Sequence, residues 1–402
     1  MMLRGILLVT VLLTVLACVG WANTDGAVAT GGDVITVDSG SGSLISSIVE
    51  VQKYNRSIHI MAMLLAGFGF LMVFVRKYGR SALTATFLLV AVALPMYMIL
   101  ANQFFGGGHK SDIDLLILSE FAAASLLIAA GAVLGRMKMM QYIVMALLFI
   151  PAYALNEWII LDGGFGILGN GGFVDTGGSI VIHAFGALFG LGVAMSMTTP
   201  REREIEIETD ATSDRFSMLG SIVLWIFWPS FCAALVAPEM VPATVVNVFL
   251  ALSGSTLATY FLSVWLRGKI SIADIANAAL AGGVAIGSTC DFATHPAAFL
   301  IGILAGALST FGFAVIQSRL QNGLKLVDTC GVSNLHGLPG LLGGFAALVV
   351  VKGISGGTQL LGIGVTVVFA IVTGLVVGKI VSLLGHRSDP YCDAEEFIED
   401  ED

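Results

Sequence analysis

Two stretches of the chain share one skeleton: "DTGGSIVIHAFG" at 175–186 and "DTCGVSNLHGLP" at 328–339. Both read D-T-x-G-x-x-x-x-H, pairing Asp175 with His183 and Asp328 with His336. Asp suits a helix N-cap, because its carboxylate accepts the unpaired N–H groups of a first turn. A histidine eight residues further in lies about 12 Å deeper at 1.5 Å per residue. Two neutral imidazoles each offer one donor and one acceptor nitrogen. A buried pair would stay neutral or share one proton, and could hold a small polar molecule or relay its proton. Two histidines are too few for a structural metal site. They match the ligand count of a bis-histidine haem, but no other haem signature accompanies them.

The surrounding elements make this pairing possible. The chain of 402 residues is 56% hydrophobic and only 12% charged, with a mean hydropathy of +0.92. That balance points to a membrane protein. A net charge of −9 without a basic cluster argues against nucleic acid. Eleven apolar runs predict spanning helices near 58–75, 82–101, 113–134, 140–161, 178–198, 216–237, 243–266, 275–291, 296–316, 331–351 and 358–384. Small-residue stretches such as "AALAGGVAIG" and "GILAGALSTFG" suit close helix packing. With the segment before the first run outside, fourteen Lys and Arg fall in inner loops and four in outer ones. This bias sets the C-terminus in the cytoplasm.

The two motifs open the fifth and tenth runs. An odd separation of five helices inverts the topology, as in transporters built from inverted halves. Entering from opposite faces of a core about 30 Å thick, the helices would bring both histidines near its middle. Ionisable groups at that depth mark a pathway more often than a structural contact.

The ends of the chain carry separate signals. "MMLR" followed by "GILLVTVLLTVLACVGWA" reads as a signal peptide over 1–22, cut after Ala22, or as a retained first helix. An extracytoplasmic segment then covers 23–55 and the transporter domain 56–385. A tail at 386–402 ends in "DPYCDAEEFIEDED", a stretch from Asp389 that itself has eight acids and no Lys or Arg. The five scattered cysteines form no C-x-x-C pair and read as buried thiols.

The stretches "HIMAMLLAGFGFLMVFVRKYGRSA", "NEWIIL", "LWIFWPSF" and "NAALAGGVAIGSTCDFATHP", with the two motifs, closely resemble the Rhesus-type branch of the ammonium transporter family. The resemblance runs from about residue 52 to the acidic tail. It implies an all-α polytopic protein of the inner membrane of a bacterium, forming a homotrimer in which each eleven-helix subunit has its own pore for ammonia or ammonium. No cofactor is implied. The twin pore histidines would be His183 and His336, the acid at the outer mouth Asp175, and the gate Phe121 and Phe231. Trp228 would line the pore, with Phe74 on its cytoplasmic side. Glu157 and Glu120 would be acids of the outer vestibule. In animal relatives a further histidine often stands where this chain has Ser333.

The reading is an ammonium/ammonia channel that recruits ammonium, deprotonates it and passes ammonia, with methylammonium as a further substrate. Alternatives are a gas channel that also passes carbon dioxide and a poorly conducting ammonium sensor. An enzyme is set aside, since no nucleophile–base set or metal cluster is visible. His59 and His295 are read as structural.

Overall fold

The structure, a computed structural model, describes residues 41–104, 110–168 and 172–398. The leader at 1–22, most of the following polar segment, His109 and residues 399–402 lie outside the described residues. The chain divides into two compact units, Met1–Val51 and Gln52–Asp402. In the first, the described residues 41–51 are helical; the second contains the candidate site and the residues that position it.

Among the described residues, eleven helices are long and apolar enough to cross a membrane. They are α1 (Leu44–Phe74), α2 (Gly79–Phe104), α3 (Asp112–Ala132), α4 (Met139–Leu161), α5 (Ser179–Met197) and α6 (Ala211–Cys232). Then follow α7 (Val241–Arg267), α8 (Ile272–Thr289), α9 (His295–Leu324), α10 (Ser333–Val350) and α11 (Gly356–Ser382). Helix is the only open-chain form that satisfies its own backbone groups in hydrocarbon. The eleven apolar runs thus each correspond to a helix. The main difference is at α1, whose helix begins at Ser41, well before the apolar run at 58. Glu50, Lys53 and Arg56 interrupt the hydropathy there but not the helical backbone.

Burial sorts the helices. In α3, 89% of the most apolar window is buried within the protein, against 33% in α11. The run "FAAASLLIAAGA" in α3 has no polar face to turn outward, so it sits inside the bundle. Helix α5 packs directly against it. A Cβ on Gly186 would lie 2.5 Å from the Ser125 carbonyl oxygen of α3. The absence of a side chain at Gly186 therefore sets the spacing of the two most buried helices.

Residues after α11 fold back on the end of the bundle that holds Asp328. The Arg387 side chain is completely buried, pairing with Glu395 at 3.4 Å and Glu396 at 3.7 Å. Asp393 accepts N–H groups of Arg80 (3.1 Å) and Ser81 (2.8 Å) in the opening turn of α2. Glu396 accepts the N–H of Met139 at 3.1 Å, where α4 starts. Acids at helix N-termini satisfy orphan donors and oppose the macrodipole. Part of the tail's negative charge is thereby used in capping.

Gly186→Ala should lower stability by about 1–3 kcal/mol through overpacking against backbone. Gly364→Ala on α11, where a Cβ would meet nothing within 4 Å, should not. Thermal melts of the detergent-solubilised variants compare them; equal melting would show that α3 and α5 can separate freely.

Candidate functional site

The motif aspartates and glycines set up the ends of the two histidine helices. Gly178 and Gly331 occupy the same motif position, and both have left-handed backbone, with φ of 75° and 65°. Glycine adopts this conformation without penalty. The turn brings each acid back over its own helix. Asp175 accepts N–H groups from Ile180 (3.0 Å) and Val181 (2.8 Å), and the hydroxyl of Ser288 at 2.5 Å. Asp328 accepts N–H groups from Val332 and Ser333, both at 3.0 Å, and the Ser333 hydroxyl at 2.8 Å. The capping role expected from the spacing is thus present at both. Burial pushes both carboxyls above their usual range, while these hydrogen bonds favour the anion and oppose that shift.

Each helix then opens with a π-turn, Ser179–Ala184 in α5 and Ser333–Gly337 in α10, that contains its histidine. Such turns recur at functional sites. The two rings meet inside the bundle, with Nδ1 to Nδ1 at 3.2 Å and planes only 8° apart. One Nδ1 must donate and the other accept. Among the described residues His183 Nε2 is buried without a hydrogen-bond partner. Its ring faces Trp228, 5.6 Å away between centroids, and Phe231 at 5.9 Å. Phe231 in turn meets Phe121 at 4.7 Å, a contact that leaves no open passage between the rings.

On the other side of the pair, His336 lines a cavity of about 20 Å³, together with Phe68, Leu71, Phe74, Leu127 and Cys330. That is room for one molecule the size of water. The structure therefore joins Phe121, Phe231, Trp228, His183 and His336 through successive ring contacts, with Phe74 on the cavity beyond His336. Phe68, stacked on His336 at 6.2 Å, and Cys330 were not legible in advance. An apolar ring in an apolar run has no distinguishing signal. Ser288, the hydroxyl on Asp175, likewise lies in "GSTCDF" without a marker of its role.

The acids expected at the outer vestibule lie elsewhere than at an open surface. Asp175 is 6% exposed, with its oxygens turned to the cap. Glu157 accepts hydroxyls from Tyr153 at 3.1 Å and from Tyr97, and borders a small notch with Lys110 and Asp162. Glu120 is 0% exposed and accepts Ser57 Oγ–H at 2.7 Å. Its neighbour Phe121 points to the path, whereas Glu120 itself joins α3 to α1. His295 Nδ1 lies 2.8 Å from Asn247 Oδ1, and His386 sits 3.9 Å from Glu202. Ser333 supplies a capping hydroxyl at the place of the extra histidine of animal relatives.

Known proteins are similar in sequence and fold. The solved structure of Nitrosomonas europaea Rh50, from the Rhesus protein family of channels, is 55% identical and superposes with a TM-score of 0.85, covering 89% of this chain and 94% of that one. A Sensor Amt Protein has the same fold at 18% identity, with a TM-score of 0.75 over 86% of this chain and 95% of that one. Ammonium transporter Rh type A of Bos taurus is 38% identical over 356 residues, covering 84% of this chain and 80% of that protein. The model of the Ammonium Transporter Family matches residues 51–393. This multi-pass membrane protein belongs to the Ammonium Transporter Family.

Proposed function

We propose that the chain is an ammonium/ammonia channel in which His183 and His336 line the conducting path. The observation that carries this reading is the 3.2 Å contact between the two motif histidines, joined by ring contacts to the phenylalanine pair and bordering the small cavity. A bare cation is expensive to move through such a path, because desolvating it costs several kcal/mol even after relaxation. Ammonia carries no such charge, and it both donates and accepts hydrogen bonds.

The imidazole pair fits that guest. The ring whose Nδ1 carries the shared hydrogen has an acceptor Nε2; the other ring has a donor Nε2–H. Ammonia arriving at either end finds a complementary group. A proton taken at one Nε2, moved across the shared bond and released at the other would also pass along the pair. In this reading ammonium gathers at the Asp175 end and gives up its proton to water at the outer mouth, near Asp175 and the gate. The carboxyl groups there, Asp175 and Glu157, favour the cation electrostatically when ionised. The lysine and arginine bias makes this end the outside of the cell membrane, and the family resemblance implies a homotrimer with one path per subunit.

Ammonium pulses to proteoliposomes, with internal pH and current recorded together, test the proposal. Wild type should respond well above empty vesicles, and the His183→Ala, His336→Ala double variant should lose about tenfold or more, the factor that a pair of net hydrogen bonds represents. Flux without current would mean net ammonia passage, and flux with current would mean that charge crosses too. An unchanged double variant would make the imidazole pair structural only.

Asp175→Ala should lower stability by about 1–2 kcal/mol as a lost cap and abolish most flux. Asp175→Asn keeps the shape and one acceptor, so it should melt closer to wild type while still losing flux. If Asp175→Asn conducts like wild type, the acid acts as a cap alone.

A further inference from the structure

Helix α1 bonds to both helices that carry the paired phenylalanines. Ser57 Oγ–H donates to Glu120 Oε1 at 2.7 Å, and Phe121 follows Glu120 on α3. Two residues along α1, His59 Nδ1 lies 2.9 Å from Ser230 Oγ, and Phe231 follows Ser230 on α6. Residues two apart on an α-helix point about 200° apart. Ser57 and His59 therefore face opposite sides, and α1 stands as a wedge between α3 and α6. The His59 ring also stacks on Phe227 of α6, with centroids 4.8 Å apart and planes 21° apart. Lys53 repeats the link to α3 through Asp114 at 2.8 Å. Among the described residues Glu120 Oε2 is buried with no partner, so the Ser57 hydroxyl is there the carboxyl's one hydrogen-bond link. In a membrane interior such a link is costly to break.

We propose that Ser57 and His59 are positioning residues for the gate. Acting through Glu120 and Ser230, they set the spacing of α3 and α6 and hence how readily Phe121 and Phe231 part. With the rings in contact at 4.7 Å, passage requires them to move. A methylated substrate requires a wider opening than ammonia. The two clamps therefore determine size selectivity between ammonium and methylammonium. This rests on the channel reading above.

The measurement is the ratio of methylammonium to ammonium flux in proteoliposomes, for Ser57→Ala, Ser230→Ala and the double variant. Each single change should raise the ratio by about fivefold, the factor for one net hydrogen bond, with ammonium flux retained. Ser57→Thr keeps the hydroxyl and His59→Asn keeps a polar atom near Nδ1, so both should hold the wild-type ratio. Ser382→Ala, on the exposed end of α11, is the control and should not change it. A wild-type ratio in the double variant, with ammonium flux intact, would overturn the clamp. If wild type itself failed to conduct, the channel reading would fall, and the clamp would be decided by a structure of the double variant in nanodiscs. Ring centroids farther apart than in wild type would support it, and unchanged centroids would overturn it.

Discussion

A hydrogen bond between two imidazoles in the middle of an apolar bundle constrains nearly everything around it. Polar groups at that depth have no water, so an unpaired ring would cost free energy that a paired one recovers. For the bond to form, two helices must arrive from opposite faces and stop at matching depths. The Asp175 and Asp328 carboxylates hold the starts of α5 and α10 through the N–H groups at the opening of each helix. The left-handed glycines Gly178 and Gly331 allow those caps to close. The motif is therefore one mechanical unit used twice: acid, turn, π-turn and ring.

Packing fixes the lateral position as capping fixes the depth. Helix α5 approaches α3 until backbone nearly meets backbone at Gly186. That approach holds His183 against the line of rings formed by Phe121, Phe231 and Trp228. In a bilayer no hydrophobic force drives helix against helix, so close contact of small residues must do this. On the Asp328 end the folded-back tail adds its own caps to α2 and α4, which makes acids that would otherwise repel one another part of the bundle's end. The result is a path with few polar atoms, most of them on the imidazole pair.

Two kinds of acid emerge from the same composition. Asp175 and Asp328 hold helix ends, whereas Glu120 accepts a hydroxyl from α1, and Glu157 accepts one from α2 and one from its own helix. The sequence was enough to mark all four: Asp175 and Asp328 by the repeated motif, Glu120 and Glu157 by the family resemblance and their place within apolar runs. It was not enough to tell a capping carboxylate from one that joins two helices, because that depends on which hydroxyl faces it.

Much of the fold was legible in the residues. Hydropathy located the helices because a span must be both apolar and long, and the repeated D-T-x-G-x-x-x-x-H located the pair because its spacing converts directly into depth. The separation of five helices supplied the inversion. The early start of α1 was not legible, since Glu50, Lys53 and Arg56 break the apolar count while leaving the helix intact. Nor were Phe68 on His336, Ser288 on Asp175, or Ser57 and His59 beside the gate. Each of these is a common residue whose role is conferred by a partner far away in the chain. Periodicity and spacing act within one element and so survive in a sequence; contacts between elements exist only once the helices have packed, and only the tertiary structure decides them.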